Sequence, residues 1–442
     1  MRLSPREIAA GLGAEIASEG APGSPRRGTI DSTASGPGDL FFGLRGENRD
    51  GGEFAAAAIA AGAWGVVVTP RHAAGLKGAW VFAVDDPLAA MHTLARAWRR
   101  ALGARVVGVT GSVGKTSVKD IARALLPGRV HANRENLNTE IGLPLTLLEA
   151  PDDAETLVLE MAMRGPGQIA ELGVVAEPDV AVITNVGPVH VELLGSVEAI
   201  AAAKAEILAA LPHGGVAVVP AEAGHLEPHL GGADRLLRFG PGGDVEATET
   251  RVVEGVTEAL ITTPFGSERF HFPFAETHNL TNALAAIAAG VALGAAPADM
   301  ADRAASIGFS RYRGERLELG DGIVLVNDCY NANPVSMRAA LDHLATLGAT
   351  RTIAVLGEMG ELGPDSARYH REVGEHARVA GLDMLIGVGE PARDYGPDEL
   401  VADPDEAAEL LAAHLQPGDA VLVKGSRAAG LETVAEQLPE LS

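Results

Sequence analysis

Three consecutive α/β units are the fold class this sequence predicts: a small N-terminal unit, a central unit with a mostly parallel sheet around a phosphate-binding loop, and a C-terminal Rossmann-like unit. Three observations predict it. Apolar strand-like runs recur along the chain with helical stretches between them, the pattern of parallel sheets covered on both faces. A glycine turn ending in Gly-Lys-Thr lies between one such run and a helix. A length of 442 residues, at roughly 150 per domain, accommodates about three domains.

In the first unit, 1–84, the runs WGVVVT (64–69) and WVFAV (80–84) follow an Ala-rich helical segment from Phe54 to Ala63. The pattern restarts at Arg105 with the strand VVGVT, the glycine turn and a helix from about Lys115 to Leu126. TLVLE (156–160), VAVIT (180–184) and VAVVP (216–220) continue this second unit, 85–313. The third, 314–442, alternates IVLVND (323–328), a helix from about Pro334 to Leu347, TIAVLG (352–357), MLIGVG (384–389) and AVLVKG (420–425).

A net charge of −24 argues against a nucleic-acid binder or a protein of anionic membranes, both of which need a basic excess to neutralise phosphate. It leaves a small anionic ligand open. Hydrophobic residues make up 47% of the chain but Phe, Tyr and Trp total only 17, so the core must be aliphatic. The single cysteine, Cys329, excludes an intramolecular disulfide or Cys-based zinc site and fits a reducing compartment. Charges throughout the first fifteen residues exclude a signal-peptide core. The uncharged run from Leu280 to Ala298 is Ala- and Gly-rich and contains Asn282 and Pro297, which points to a buried helix of a soluble domain rather than a membrane span. A soluble cytoplasmic protein follows, with no membrane insertion. Locally the charge reverses: residues 96–134 carry nine Lys/Arg against one acid, Asp120, a neighbourhood that supports ATP.

In the turn, Gly111, Ser112, Val113, Gly114, Lys115, Thr116 and Ser117 can cradle phosphates with backbone N–H groups and a helix N-terminus. Lys115 would reach the terminal phosphates and Thr116 would ligate Mg²⁺. Val109 breaks the strict GxxxxGK[ST] spacing, so the loop is one residue tighter than usual. Glu160 ends one strand, and Thr184, Asn185 and His190 follow another, where an open α/β sheet builds its site. Glu160 suits Mg²⁺, and His190 could complete the shell of a second ion. Lys204, in the Ala-rich helix AIAAAKAEIL, reads on its own as a solvated lysine.

The shortened loop TGSVGKTS (110–117) resembles the ATP loop of the Mur ligases, ATP-dependent amide-forming enzymes of peptidoglycan synthesis. Further motifs of that family follow in order along nearly the whole chain: PGDLFF and GLRG in the first unit, NRENLNTEIGLPLTLL (133–148), HNLTNALAA (278–286) and NDCYNANPVSM (327–337). The resemblance implies ATP and two Mg²⁺ ions, with Thr116, Glu160, His190 and Lys204 as metal ligands, Lys204 as a CO₂-derived carbamate. It implies Asn279 and Asn282 at the adenine, and Asp328, Asn331 and the linker Arg316 on the nucleotide, Arg316 at the γ-phosphate. Lys115, Lys204, His190 and Arg316 form the expected catalytic set. Asp31, Ser32, Thr33, Leu44, Arg45 and Gly46 would hold a UDP-linked substrate. Tyr330, Asn331 and Asn333 would face D-Ala-D-Ala, because DCYNANPxSM is close to the pattern of the branch that adds this dipeptide to UDP-MurNAc-tripeptide. The chain is expected to act as a monomer. Two positions depart from the family pattern: Thr33 stands where Arg is usual, and Glu276 where Gly is usual. Two other readings stay open, a Mur-type ligase with a different amine and a nucleotide-gated binding protein without turnover.

Overall fold

The structure is a computed structural model; it describes every residue except Glu135, Val189, His190 and Ser442, and no side chains at 191–192 and 439–441. Four sheets organise the chain. The first has five strands, four of them parallel, and its edge strand Glu15–Ser18 runs antiparallel to Trp80–Ala83. The second is wholly parallel, in the order Arg235–Phe239, Val216–Pro220, Val180–Ile183, Arg105–Thr110, Thr156–Glu160, Val130–Ala132. Its inner strands are buried on both faces, which is why they read in sequence as continuous apolar runs. The strand Arg105–Thr110 sits between Val180–Ile183 and Thr156–Glu160, so the turn after it emerges between the carboxyl ends of two neighbours. Ligands of open α/β sheets bind at such a place.

The N-terminal and central units share one mainly aliphatic core running from Met1 to Leu230. Helix Pro87–Leu102 ties them together. Asp86 caps it by accepting from the N–H groups of Leu88 and Ala89, proline occupies its first turn, and Gly103 ends it in the left-handed conformation. Met91, Leu94 and Trp98 on its inner face are buried, each contributing roughly 1.5–3 kcal/mol relative to exposure.

A third sheet, antiparallel, was not anticipated: Glu246–Val253, Val256–Thr263 and Gly266–Phe272. Its first turn has Glu254 at φ 50° and Gly255 at φ 79°, a two-residue connection whose twist matches the strands it joins. Thr257, Ala259, Ile261 and Thr263 alternate inward, and Phe270, Phe272 and Phe274 stack beneath them with centroids 5.4 and 5.1 Å apart. The chain then enters helix Thr277–Leu293, whose face of Ala283, Ala286 and Ala289 is buried. Small side chains let it lie close against the helix Lys115–Leu125 that follows the loop. The uncharged run noted above is this buried helix, and no helix among the described residues is long and apolar enough to cross a membrane.

In the C-terminal sheet the order is Glu315–Gly320, Ile323–Asn327, Asp419–Lys424, Arg351–Leu356, Met384–Val388, Glu399–Val401, with only the first strand antiparallel. Helices cover both faces, as two separate cores show.

Candidate active site

The glycine turn is held rigidly before any ligand enters. Ser112 donates its hydroxyl to the Gly187 carbonyl (3.1 Å) and accepts from the Gly187 N–H (2.9 Å). The Val113 N–H donates to Asn185 Oδ1 at 3.0 Å, and Thr184 Oγ1 donates to the Val113 carbonyl at 2.5 Å. Thr184 and Asn185 thus serve as struts of the loop. Glycine is required at 111 and 114 for space as well as conformation: a Cβ at 111 would lie 1.9 Å from Thr184 Oγ1, and one at 114, where φ is 80°, would lie 2.4 Å from Asn282 Oδ1.

Lys115 folds back over the loop, its Nζ donating to the carbonyls of Gly111 (2.8 Å) and Ser112 (3.3 Å). Burial holds its pKa below the usual lysine value; Glu160 opposes that shift and Arg313 adds to it. Thr116, one residue on, donates its hydroxyl to Glu160 Oε2 at 3.0 Å. Glu160 is 2% exposed. Its other oxygen accepts from Asn138 Nδ2 at 2.8 Å and its N–H donates to Asn133 Oδ1 at 2.6 Å, so the asparagine-rich stretch 133–138 fixes this carboxylate. Adjacent buried hydroxyl and carboxylate oxygens, with phosphate to be added, are a donor set that fits Mg²⁺. His190, the expected further ligand, lies outside the described residues.

Lys204 is not solvated as its Ala-rich helix suggested. It is 2% exposed at the end of helix Val197–Ala205. Burial, with the nearby charge of Lys115, pushes its pKa well below the lysine range. No carboxylate among the described residues forms an ion pair with it.

The first two turns of helix Thr277–Leu293 carry Asn279 and Asn282, 4% and 9% exposed, joined by Asn282 Nδ2 donating to Asn279 Oδ1 at 3.3 Å. Glu276, the departure from the family pattern, has φ −71° and ψ 123°. A side chain there is unstrained, so replacing glycine leaves the backbone course intact. Its carboxylate accepts from Asn279 Nδ2 (3.4 Å) and faces His343 Nε2 of the C-terminal unit (3.5 Å). A cavity of about 870 Å³ opens here, with Phe274, Glu276, Phe309, Arg313, Arg316 and His343 in its wall. Burial lowers the pKa of both His278 and His343, with acids nearby opposing the shift.

In the C-terminal unit, Lys424 organises the loop after strand Ile323–Asn327. Its buried Nζ donates to Asp328 Oδ2 (2.6 Å) and to the Asn331 carbonyl (3.0 Å). Asn333, which is buried, accepts from the Ser336 N–H at 3.0 Å as the cap of helix Pro334–Ala345. Asn331 is exposed, and Tyr330 underlies the guanidinium of Arg313 at 4.0 Å. Burial pushes the Cys329 thiol up to about 12, so it is inert. Arg316, expected at the γ-phosphate, is exposed and pairs with Glu318 at 2.9 Å. The arginine at the loop is Arg313, whose Nη2 donates to Thr116 Oγ1 at 3.1 Å. Sequence reasoning missed Arg313, Asn138 and Lys424. For Arg313 the available signal was the crowding of Arg311, Arg313 and Arg316 at the expected boundary.

In the first unit, Asp31, Ser32 and Thr33 follow strand Arg27–Thr29, and Leu44, Arg45 and Gly46 follow strand Asp39–Phe42. These strands are parallel neighbours, so both loops leave the same edge of the sheet. Asp31 Oδ1 accepts from the Thr33 N–H (2.8 Å), the Thr33 hydroxyl (2.7 Å) and the Ala34 N–H (3.3 Å). Thr33 therefore serves the turn itself.

Residues 109–290 match the Mur ligase middle domain, and residues 312–427 match the glutamate ligase domain of Mur ligases. The UDP-N-acetylmuramoyl-tripeptide–D-alanyl-D-alanine ligase of Synechocystis sp. is 38% identical over 91% of this chain and 89% of its own. Among solved structures, MurF from Acinetobacter baumannii is 29% identical with a TM-score of 0.89, covering 100% of this chain and 99% of that one. MurF ligase from Thermotoga maritima, in complex with ADP, is 31% identical with a TM-score of 0.82, covering 94% and 97%. By these matches over nearly its whole length, the chain belongs to the Mur ligase family, among the UDP-N-acetylmuramoyl-tripeptide–D-alanyl-D-alanine ligases.

Proposed function

We propose that the protein is an ATP-dependent amide-forming ligase that joins D-Ala-D-Ala to UDP-MurNAc-tripeptide through an acyl phosphate, the last cytoplasmic step in building the peptidoglycan precursor peptide. The observation that carries this reading is the convergence of distant chain regions on one loop: Glu160 on Thr116, Asn282 against Gly114, and Arg313 from the linker. Residues 1–84 hold the UDP end of one substrate, 85–313 hold ATP, and 314–442 bring the amine, so a single chain supplies all three sites and works as a monomer.

The tripeptide carboxylate attacks the γ-phosphorus of ATP, the bond to the bridging oxygen breaks, and ADP leaves. The unprotonated amine of D-Ala-D-Ala then attacks the acyl carbon, losing its proton as phosphate departs. Lys115 gives up its hold on the loop carbonyls to carry phosphoryl charge. For Arg316 to join it, the Glu318 pair must break, whereas Arg313 already stands at the loop. Fixed cations aimed at a transferring phosphoryl group stabilise the developing charge. Thr116 and Glu160 would hold Mg²⁺, with His190 and Lys204 completing the two-ion set by resemblance. Mg²⁺ supplies neutralisation of phosphate charge there. Once deprotonated, the amine of Lys204 can add to CO₂ with loss of a proton, giving an anionic ligand in place of a cation that would repel Mg²⁺. Asn279 and Asn282 present amides to the adenine edge, Asp328 and Asn331 approach the nucleotide from the opposite wall, and Tyr330, Asn331 and Asn333 face the amine substrate. Positioning three substrates in a cleft that closes between units supplies much of the rate.

Purified protein with ATP, Mg²⁺ and UDP-MurNAc-tripeptide is expected to release ADP at full rate only when D-Ala-D-Ala is added. No ADP release with all four present overturns the reading; release driven better by another amine moves the protein to a different Mur-type activity.

A further inference from the structure

We propose that Arg313 is a resident cation that holds the metal position at Thr116 and Glu160 until nucleotide-bound Mg²⁺ displaces it. The inference rests on the reading of these two residues as Mg²⁺ ligands. The linker is pinned to the loop helix just before Arg313: the N–H and hydroxyl of Ser310 both donate to Asp120 Oδ2, at 2.9 and 2.7 Å. Three residues later the guanidinium lies over the Tyr330 ring and donates to Thr116 Oγ1, which donates in turn to Glu160 Oε2. Arg313 forms no ion pair with a carboxylate among the described residues, and its Nε is buried without a partner. An arginine in a part-buried cleft with no counter-ion is costly unless an anion is near. Here the Glu160 carboxylate is reached through one hydroxyl.

That hydroxyl is the oxygen a metal at this site would need. A divalent ion on Thr116 and Glu160 would stand within a few ångströms of the guanidinium, and like charges at that range in a part-buried site repel strongly. The two cations therefore exclude each other. Metal arriving with phosphates brings its own anions, so the displaced guanidinium can stay on the Tyr330 ring and turn its free N–H groups to phosphate oxygens. Tyr330 belongs to the C-terminal unit, so the exchange reports loop occupancy to the unit that must close.

Mn²⁺ binding to the nucleotide-free full chain, followed by electron paramagnetic resonance, tests this. Arg313→Gln is expected to bind Mn²⁺ at least about tenfold more tightly than the wild type, and Arg313→Lys, which keeps the charge, about as weakly as the wild type. Adding Glu160→Gln to Arg313→Gln should abolish the gain. Equal or weaker binding by Arg313→Gln, in protein whose melting temperature shows it folded, overturns the proposal, as does a gain that survives loss of Glu160. Mn²⁺–ATP binding separates the two levels. If it depends on Glu160 while Arg313 has no effect on free Mn²⁺, only the resident-cation proposal falls; if it ignores Glu160, the metal reading falls and takes the proposal with it.

Discussion

The glycine loop and the linker and C-terminal residues that approach it are built in opposite ways. On the loop side the polar groups are satisfied within the protein: Ser112 by Gly187, Val113 by Thr184 and Asn185, Thr116 by Glu160, Glu160 by Asn138. On the linker and C-terminal side Arg313 has a buried Nε with no hydrogen-bond partner among the described residues, Asn331 is exposed, and Arg316 pairs with exposed Glu318. The loop has its geometry settled before a ligand arrives, which lowers the ordering cost of binding. The linker and C-terminal side has cations and amides that keep hydrogen-bonding capacity for a ligand.

The largest test of the contrast is Lys115→Ala. Loss of a loop cation at the transferring phosphoryl group is expected to reduce kcat/KM by about a thousandfold or more, read as ADP release. Melting temperature should not fall, because the variant removes a desolvated cation. A loss under about tenfold would show that the loop does not carry the phosphates. Next comes Lys204→Ala, expected to lose on the order of a hundredfold, with wild-type protein showing a carbamate carbon signal under ¹³C-labelled CO₂ that the variant lacks. Activity unchanged, and indifferent to added formate or bicarbonate, would remove the carbamate role.

Gly114→Ala and Gly75→Ala form a matched pair that sharpens the comparison. Both glycines have φ near +80°, but a Cβ at 75 meets nothing within 4 Å while one at 114 meets Asn282 Oδ1 at 2.4 Å. Backbone strain of about 1–2 kcal/mol is common to both. Only Gly114→Ala should also weaken nucleotide binding, by roughly tenfold, since Asn282 must move. Equal effects on ATP affinity from the two variants would mean that the asparagine helix does not shape the nucleotide site.

Much of this was legible because it is local. A buried parallel strand must be apolar throughout, so VVGVT, TLVLE and VAVIT announce themselves, and the turn after Thr110 needs its glycines within seven residues. What the sequence hid depends on long-range contact. Arg313 reaches Thr116 across 197 residues of chain, and an Ala-rich helix has no polar face to show that Lys204 points inward. The antiparallel sheet was readable in the alternation of VTEALITT, but its outer strand is exposed along most of its length and yields no apolar run. Charge misled at the intermediate scale. Of the nine cations in 96–134, seven have acidic partners: Arg96 and Arg100 bind Glu177, Arg99 and Arg105 meet Asp179, Lys119 meets Asp120, Arg129 meets Asp153 and Arg134 meets Glu149. The basic stretch is mostly spent fastening helix Pro87–Leu102 and its neighbours, and Lys115 alone of the nine holds the loop.

Glu177 gives the smallest and most structural of the tests, set against the functional cations of the loop. It ends helix Gln168–Ala176 at φ 47° and accepts from Arg96 Nε and Arg100 Nε, each at 2.8 Å. The Arg100 hydrogen bond is the chief cause that lowers its carboxyl from 4.5 to about 2, with burial opposing and Arg96 assisting. A carboxyl depressed in the folded state stabilises it fully above the unfolded pKa, and that stability is lost as pH falls from about 4.5 to about 2. With a quarter of the side chain exposed, solvent screening leaves about 1–2 kcal/mol. Glu177→Gln should therefore lower stability at pH 7 by that amount, flatten the acid limb of the unfolding free energy between pH 4.5 and 2, and leave ATP affinity unchanged. An unaltered acid limb would show that these arginines do not hold the carboxylate. A change in ATP affinity would mean that the fastening cations and the loop cation are one system after all.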